Sequence, residues 1–265
     1  MSDIIFGMPT LIEFKDIYDA VSLCKKLNLS FIELNMNLPQ YQAEYLDCNL
    51  LKKLMKEEQI FFTIHIDENF NAADFNTKVS RAYIDTMVET IAAAKELNIP
   101  ILNMHMAQGV YFTLPDRKVY LFDEYKEEYM NNLKKFRDIC IKEIGISNIK
   151  ICVENTDGYK DFMREGVEIF LESPAFALTW DIGHEHSCGY KDMNFILSNR
   201  NRLKHMHIHD AEGKKNHMIL GTGEIDLEAR LKVAHENDCT CVIETKTIEA
   251  LERSVKYLRN ERGNN

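Results

Sequence analysis

Eight short apolar runs, each followed by a longer polar-apolar stretch, recur along the whole sequence, and this alternation narrows the available folds more than any other feature. The runs lie at 4–8, 31–35, 61–65, 101–105, 149–154, 176–181, 204–209 and 240–244. Their lengths suit strands and are too short for helices. Between most of them, apolar residues recur at helical spacing. In 80–97, for example, Tyr83, Met87, Ile91 and Ala94 fall on one face, and 16–27, 45–57, 129–141 and 248–259 behave alike. Strands alternating with helices imply a parallel sheet with helices outside it. Eight such units close a (β/α)8 TIM barrel, and 265 residues suit one such domain. No Gly/Ser/Pro-rich linker divides the chain. The competing fold, an open doubly wound sheet, lacks the glycine-rich turn expected after its first strand. The segment 109–124, with Tyr111, Phe112, Pro115 and Asp116, is expected to be a long irregular loop over the top face.

The ends of the strands carry the chemistry. Six successive runs close on His65, His105, Glu154, Asp181, His207 and Glu244, and His209-Asp210 follows His207. In parallel barrels these C-terminal ends form the active site. Side chains alternate along a strand, so the direction of each can be tested. Cys152 and Glu154 oppose Ile151 and Val153; Ala177, Thr179 and Asp181 oppose Phe176, Leu178 and Trp180. His205, His207 and His209 oppose Met206 and Ile208, and Val242 and Glu244 oppose Cys241 and Ile243. With the bulky apolar set packed on the helices, the ionisable set points into the mouth. A lone residue of this kind is usually solvated loop, but one phase shared across strands is not explained that way. Several carboxylates in one mouth repel one another and take up protons unless a cation resolves the conflict. Two Glu, one Asp and one His form a mostly oxygen-donor set, suited to Mn²⁺, Mg²⁺ or Co²⁺, with Zn²⁺ also compatible.

Composition removes other classes. The net charge of −10 disfavours phosphate backbones, and the only basic clusters are short pairs such as Lys52-Lys53 and Lys214-Lys215, so nucleic acid is not an expected partner. The seven cysteines are scattered, and Cys239 and Cys241 lie two apart, which is not a zinc-site spacing; buried thiols in a reducing compartment are expected. No apolar stretch is long enough to cross a bilayer and no basic leader precedes Ile4-Ile5-Phe6, so the expected location is the cytoplasm.

These residues together resemble the xylose-isomerase-like barrels, a superfamily that includes sugar isomerases, sugar epimerases and endonuclease IV. The matching motifs are His65 with Asn71, His105, Glu154-Asn155-Thr156, Asp181-Ile182-Gly183-His184, His207-Ile208-His209-Asp210, His217 with Leu220-Gly221-Thr222-Gly223, and Glu244-Thr245. The resemblance spans nearly the whole chain. Carried over from endonuclease IV and its three zinc ions, His65, His105 and Glu154 would serve one metal, and Glu154, Asp181, His207 and Glu244 a second. A third would use His184, His217 and an aspartate two residues before the last histidine, where this chain has Lys215. A lysine cannot replace a carboxylate ligand. The Pro-Gly that follows the family's fourth-strand His is also absent, with Met106-Ala107-Gln108-Gly109 in its place.

The isomerases and epimerases need a single metal, which the resemblance assigns to Glu154, Asp181, His207 and Glu244, with His184 near the substrate oxygens. The implied reaction moves a proton beside a sugar carbonyl through an enediolate, with Glu154 and Glu244 as the proton-transferring pair. The expected function is therefore a metal-dependent sugar or sugar-phosphate isomerase or epimerase acting on a small-molecule substrate. The rivals are an endonuclease IV-like abasic-site hydrolase and a non-catalytic binding protein on the same barrel. His65 and His105 suit a second metal or substrate hydroxyls equally. His205 reads as an interior hydrogen-bonded histidine, and His209 and Asp210 as rim residues, with Asp210 a partner that orients His207. Glu33 faces inward and suits either the barrel floor or the substrate. Gly221-Thr222-Gly223 reads as a tight turn before a helix capped by Asp226, with a phosphate-binding loop as the alternative. His186 and His235 read as surface or helix residues, and Trp180 as core. Exposed helices of such barrels often pair, which leaves a homo-oligomer open.

Overall fold

The computed structural model describes residues 4–263. Eight parallel strands form a closed barrel: β1 (Ile5–Pro9), β2 (Phe31–Asn35), β3 (Phe61–His65), β4 (Ile101–His105), β5 (Lys150–Glu154), β6 (Phe176–Asp181), β7 (Leu203–Ile208) and β8 (Thr240–Ile243). Neighbours in the barrel are neighbours in sequence, and the pairing of Ile5 with Thr240 and of Gly7 with Val242 seals it. The expected (β/α)8 barrel is what the chain forms. Strand limits differ from the sequence reading by a residue at some ends. β8 stops at Ile243, yet the Glu244 N–H still donates to the Ile208 carbonyl at 3.0 Å, so the ladder reaches Glu244.

Helices α1 (Ile17–Lys26), α2 (Cys48–Glu58), α3 (Thr77–Leu97), α4 (Lys126–Ile144), α5 (Asp161–Leu171), α6 (Met193–Ser198), α7 (Leu227–Glu236) and α8 (Ile248–Gly263) surround the strands. Side chains capping orphan N–H groups set several of their starts. Asp16 accepts from Tyr18 and Asp19, Asp47 from Leu50, Asn76 from Lys78 and Asp226 from Ala229. The Asn76 cap explains why α3 begins three residues before the periodic stretch 80–97. α2 begins later than expected because Ala43–Tyr45 forms a separate 3-10 turn.

One connection differs from the sequence reading, and two others carry short elements of their own. The 109–124 segment is not irregular: Tyr111–Thr113 pairs antiparallel with Lys118–Tyr120, and a short helix, Leu121–Glu124, follows. After β6 the chain makes two short helices, Ile182–Ser187 and α6. After β7, Asp210–Glu212 pairs with Lys215–Met218 in a second hairpin.

The main core lies between strands and helices, built from outward side chains such as Ile64, Met104, Val153, Leu178, Trp180 and Met206. Trp180 is fully buried, as its phase implied. A separate small apolar cluster of Ile101, Cys152 and Ala177 closes the barrel floor. Above it the interior turns polar, because the next inward residues are Glu33, Thr63, Asn103, Thr179 and His205, all buried.

Candidate metal centre

The ends of β5, β6, β7 and β8 bring Glu154, Asp181, His207 and Glu244 together, with one potential ligand atom from each lying within 4.8 Å of all the others. The centre of the group is His207 Nδ1. It stands 3.2 Å from Glu154 Oε1, 3.2 Å from Glu244 Oε2 and 4.0 Å from Asp181 Oδ2. The atom is buried and makes no hydrogen bond. Three carboxylates and an orphaned imidazole nitrogen in a buried mouth form a donor set that a divalent cation fits. The cation would cancel the mutual repulsion and take the free lone pair. Burial disfavours charge on these carboxyls. The surrounding histidines and Lys246 outweigh it and hold Glu154 and Glu244 well below the usual carboxylate range: His207 and His105 act on Glu154, and His207, Lys246 and His217 on Glu244. Lys246 Nζ lies 3.1 Å from Glu244 Oε1.

The polar floor supports this group from below. Glu33 Oε2 accepts from Thr63 Oγ1 and lies against His205 Nε2, both at 2.9 Å. His205 Nδ1 meets Thr240 Oγ1 at 2.6 Å. Glu33 Oε1 lies 2.8 Å from His207 Nε2, in an arrangement that leaves Nε2 without a formal hydrogen bond. Glu33 therefore belongs to the floor, and His205 is the interior histidine expected. Asn103 is a site residue the sequence reading missed. Its amide donates to Glu154 Oε2 while its oxygen accepts from Thr179. The signal was present, since Asn103 shares the inward phase of His105 on β4.

His65 and His105 approach Glu154 from the other side, with Nε2 atoms 3.3 and 3.4 Å from Oε2. His65 Nδ1 sits 2.7 Å from the Ile66 carbonyl, which can only accept, so Nδ1 carries a proton. Burial opposes a charge on His65, but the Glu154 carboxylate prevails and lifts the ring to about 9.

His184 and His217 form the third expected group, and the structure adds His209 to it; the three place ligand atoms within 4.8 Å of one another. Lys215 takes no part, being exposed on the second hairpin. His209 and Asp210 are fully buried rather than at the rim. Nor does Asp210 orient His207. Its carboxylate accepts the main-chain N–H groups of Gly221 at 2.9 Å, Gly223 at 2.8 Å and Ile225 at 3.2 Å. Those are the amides a phosphate would have used, so the Gly221–Gly223 turn is held by the chain's own carboxylate. Gly221 has φ +79, and a Cβ there would stand 2.2 Å from the Tyr257 ring, so the turn requires glycine.

Above the carboxylates opens a cavity of about 610 Å³. Side-chain amides of Asn35, Asn69 and Gln108 line it, with Lys160, His184 and His217. No helix among the described residues is long and apolar enough to cross a membrane.

Comparison with known proteins agrees with the barrel fold. A family model described as xylose isomerase-like TIM barrel matches residues 21–261. An uncharacterized protein of Methanocaldococcus jannaschii is 22% identical over 257 residues, covering 92% of this chain and 93% of its own. Among solved structures, a D-tagatose 3-epimerase-like protein superposes with TM-score 0.78 at 21% identity, covering 97% of this chain and 96% of its own. The IOLI protein with a zinc atom gives 0.75 at 17% identity, covering 97% of each chain. A 3-keto-D-glucoside 4-epimerase from E. coli gives 0.75 at 15%, covering 97% of this chain and 100% of its own.

Proposed function

The chain belongs to the xylose isomerase-like TIM barrel family, and from that premise we propose that it is a divalent-metal-dependent isomerase or epimerase of a sugar or sugar phosphate. The observation that carries the reading is the orphaned His207 Nδ1 ringed by Glu154, Asp181 and Glu244. Those four residues would hold the cation, with Mn²⁺, Mg²⁺, Co²⁺ or Zn²⁺ compatible with the donors. The zinc atom bound by the similar IOLI protein supports a metal in a barrel of this fold. The printed names of two other neighbours, a 3-epimerase-like protein for D-tagatose and a 4-epimerase for a 3-keto-glucoside, support a sugar substrate.

A bound cation supplies Lewis-acid stabilisation of negative charge developing on the substrate oxygens. The protein does the rest. Glu154 and Glu244 stand on strands separated by β6 and β7, so they face a bound sugar from different sides. Both are held ionised in the free site; in turnover one would accept the proton beside the carbonyl while the other, first protonated from water, would return one, and proton exchange with solvent would reset the pair. Return to the same carbon from the opposite face gives epimerisation, and return to the neighbouring carbon gives isomerisation. His184, His217 and the three amides of the cavity offer hydrogen bonds to hydroxyls. The cavity volume suits a monosaccharide or a modestly larger ligand.

A second reading, an endonuclease IV-like hydrolase, has one observation in its favour. His65 and His105 aim Nε2 at Glu154 as a second cation's ligands would. Lys215 and the −10 charge weigh against it.

The test is metal uptake by protein purified without added metal, followed by Mn²⁺ titration and assay against ketoses, aldoses and their phosphates. Uptake in the wild type, lost in Asp181→Asn and His207→Ala, is expected, with turnover on at least one sugar. A wild type that binds no divalent cation would overturn the reading.

A further inference from the structure

His209 could do either of two things. With His184 and His217 it has the spacing of a three-histidine metal group, yet it also lies directly behind a proposed ligand of the carboxylate centre. We propose that His209 is a positioning residue, a neutral imidazole that fixes the Asp181 carboxylate, and that it ligates no metal. The proposal rests on the reading of Asp181 as a metal ligand.

Both ring nitrogens of His209 are already committed. Two groups face Nδ1, the His217 main-chain N–H at 2.7 Å and the Asp210 carbonyl at 3.4 Å; the nearer one is a donor, so Nδ1 offers it a lone pair. The proton of the neutral ring is then on Nε2, which donates to Asp181 Oδ2 at 3.0 Å. A ring in this state has no lone pair left for a metal. Asp181 is meanwhile held at both oxygens, since Oδ1 accepts the His184 N–H at 2.6 Å. Its remaining lone pairs are free to face the centre.

The packing around His209 is built for this one placement. His217 adopts φ +52, a left-handed conformation costly for a residue with a Cβ, and in that conformation its N–H meets Nδ1. Gly183 lies against the ring, and a Cβ there would sit 1.9 Å from Cε1 and 2.1 Å from Nδ1. An alanine at 183 therefore cannot coexist with His209 where it stands. This links two motifs read separately in the sequence: the glycine of Asp181-Ile182-Gly183-His184 makes room for the second histidine of His207-Ile208-His209-Asp210.

Two measurements decide. In metal-free protein, long-range ¹H–¹⁵N correlation should find His209 neutral, with the proton on Nε2 and an accepting Nδ1. Mn²⁺ titration should then separate the substitutions. His209→Gln places an amide N–H where Nε2–H stood and should bind nearly as the wild type does. His209→Leu and Gly183→Ala should each weaken binding by about 10–100-fold, with the thermal melt reporting that each variant is folded. A ligand role predicts otherwise: both Gln and Leu would lose one equivalent of metal while the carboxylate centre keeps its affinity. That result, a ring protonated on Nδ1, or wild-type affinity in His209→Leu would overturn the proposal. If the wild type binds no Mn²⁺ at all, it is the function proposed above that fails, and the tautomer still tests the His209–Asp181 contact.

Discussion

The Asn155 side chain pairs with both main-chain groups of Asp181: its Oδ1 accepts the Asp181 N–H at 2.8 Å and its Nδ2 donates to the Asp181 carbonyl at 3.0 Å. The ladder between β5 and β6 has ended by this point, at Glu154 and Thr179. A side chain thus continues the sheet for one more residue and ties the end carrying Glu154 to the end carrying Asp181.

Asn155→Ala is expected to remove both hydrogen bonds and leave the buried Asp181 N–H without its partner. The loss should be about 1–3 kcal/mol. Divalent-cation affinity should fall as well, because Asp181 loses its fixed height in the barrel. Denaturant unfolding together with Mn²⁺ titration checks both. A variant with unchanged stability and affinity would show that the pairing is dispensable.

Glu154→Gln and Glu244→Gln keep side-chain volume and an oxygen donor but cannot accept a proton. Each is expected to abolish turnover on whichever sugar the wild type accepts, while the thermal melt reports a folded protein. Near-wild-type turnover by either variant would remove that residue from proton transfer.

Much of this site was legible in the sequence, for a definite reason. Strand alternation has period two, so the phase of Glu154, Asp181, His207 and Glu244 followed once bulky neighbours such as Val153 and Trp180 were assigned outward. The same rule held Asn103 beside His105, but a neutral amide draws less notice than a histidine. What periodicity could not supply lies beyond the strand ends. His209 and Asp210 looked like rim residues because the hairpin that buries them, Asp210–Glu212 with Lys215–Met218, has no strong turn signature. The match of Asp210 to the amides of Gly221, Gly223 and Ile225 joins residues separated by a loop whose path no local pattern fixes. Asn155 stands out in the sequence only as part of a motif, since its partner is main chain and main-chain partners leave no trace in sequence.

Glu185 gives a pH signature. It is fully buried, and its Oε1 accepts the N–H groups of Asp192 at 3.0 Å and Met193 at 3.1 Å. Burial outweighs those donors and pushes its carboxyl up to about 7, from 4.5 in a solvated chain. A raised carboxyl pKa means that the folded state favours the protonated form. Its contribution to stability is complete below the unfolded value and is lost as pH climbs through the folded one. Glu185→Gln stays neutral and can still accept both N–H groups. Its melting temperature should therefore gain on the wild type as pH rises from about 5 to about 8. Parallel curves over that range would contradict the assignment.

Abasic-site DNA should not be cleaved efficiently, even with Zn²⁺ supplied. His209 spends both nitrogens inside the protein, leaving His184 and His217 alone where a third zinc would need more donors. Lys215 is exposed and cannot ligate, and the net charge of −10 supplies no long-range attraction to a phosphate backbone. The assay is incision of an abasic duplex at low salt. Robust incision by the wild type, lost in Glu154→Gln, would favour the repair enzyme instead.

The central claim is metal-assisted proton transfer beside a sugar carbonyl, and solvent deuterium reports on it directly. Metal-loaded protein is incubated in D₂O with a panel of ketoses, aldoses and their phosphates and followed by ¹H NMR. The account predicts that at least one sugar loses the proton on a carbon next to its carbonyl while an epimer or isomer appears, and that a chelator stops both. Full metal occupancy with no exchange and no product on any sugar of the panel would contradict it.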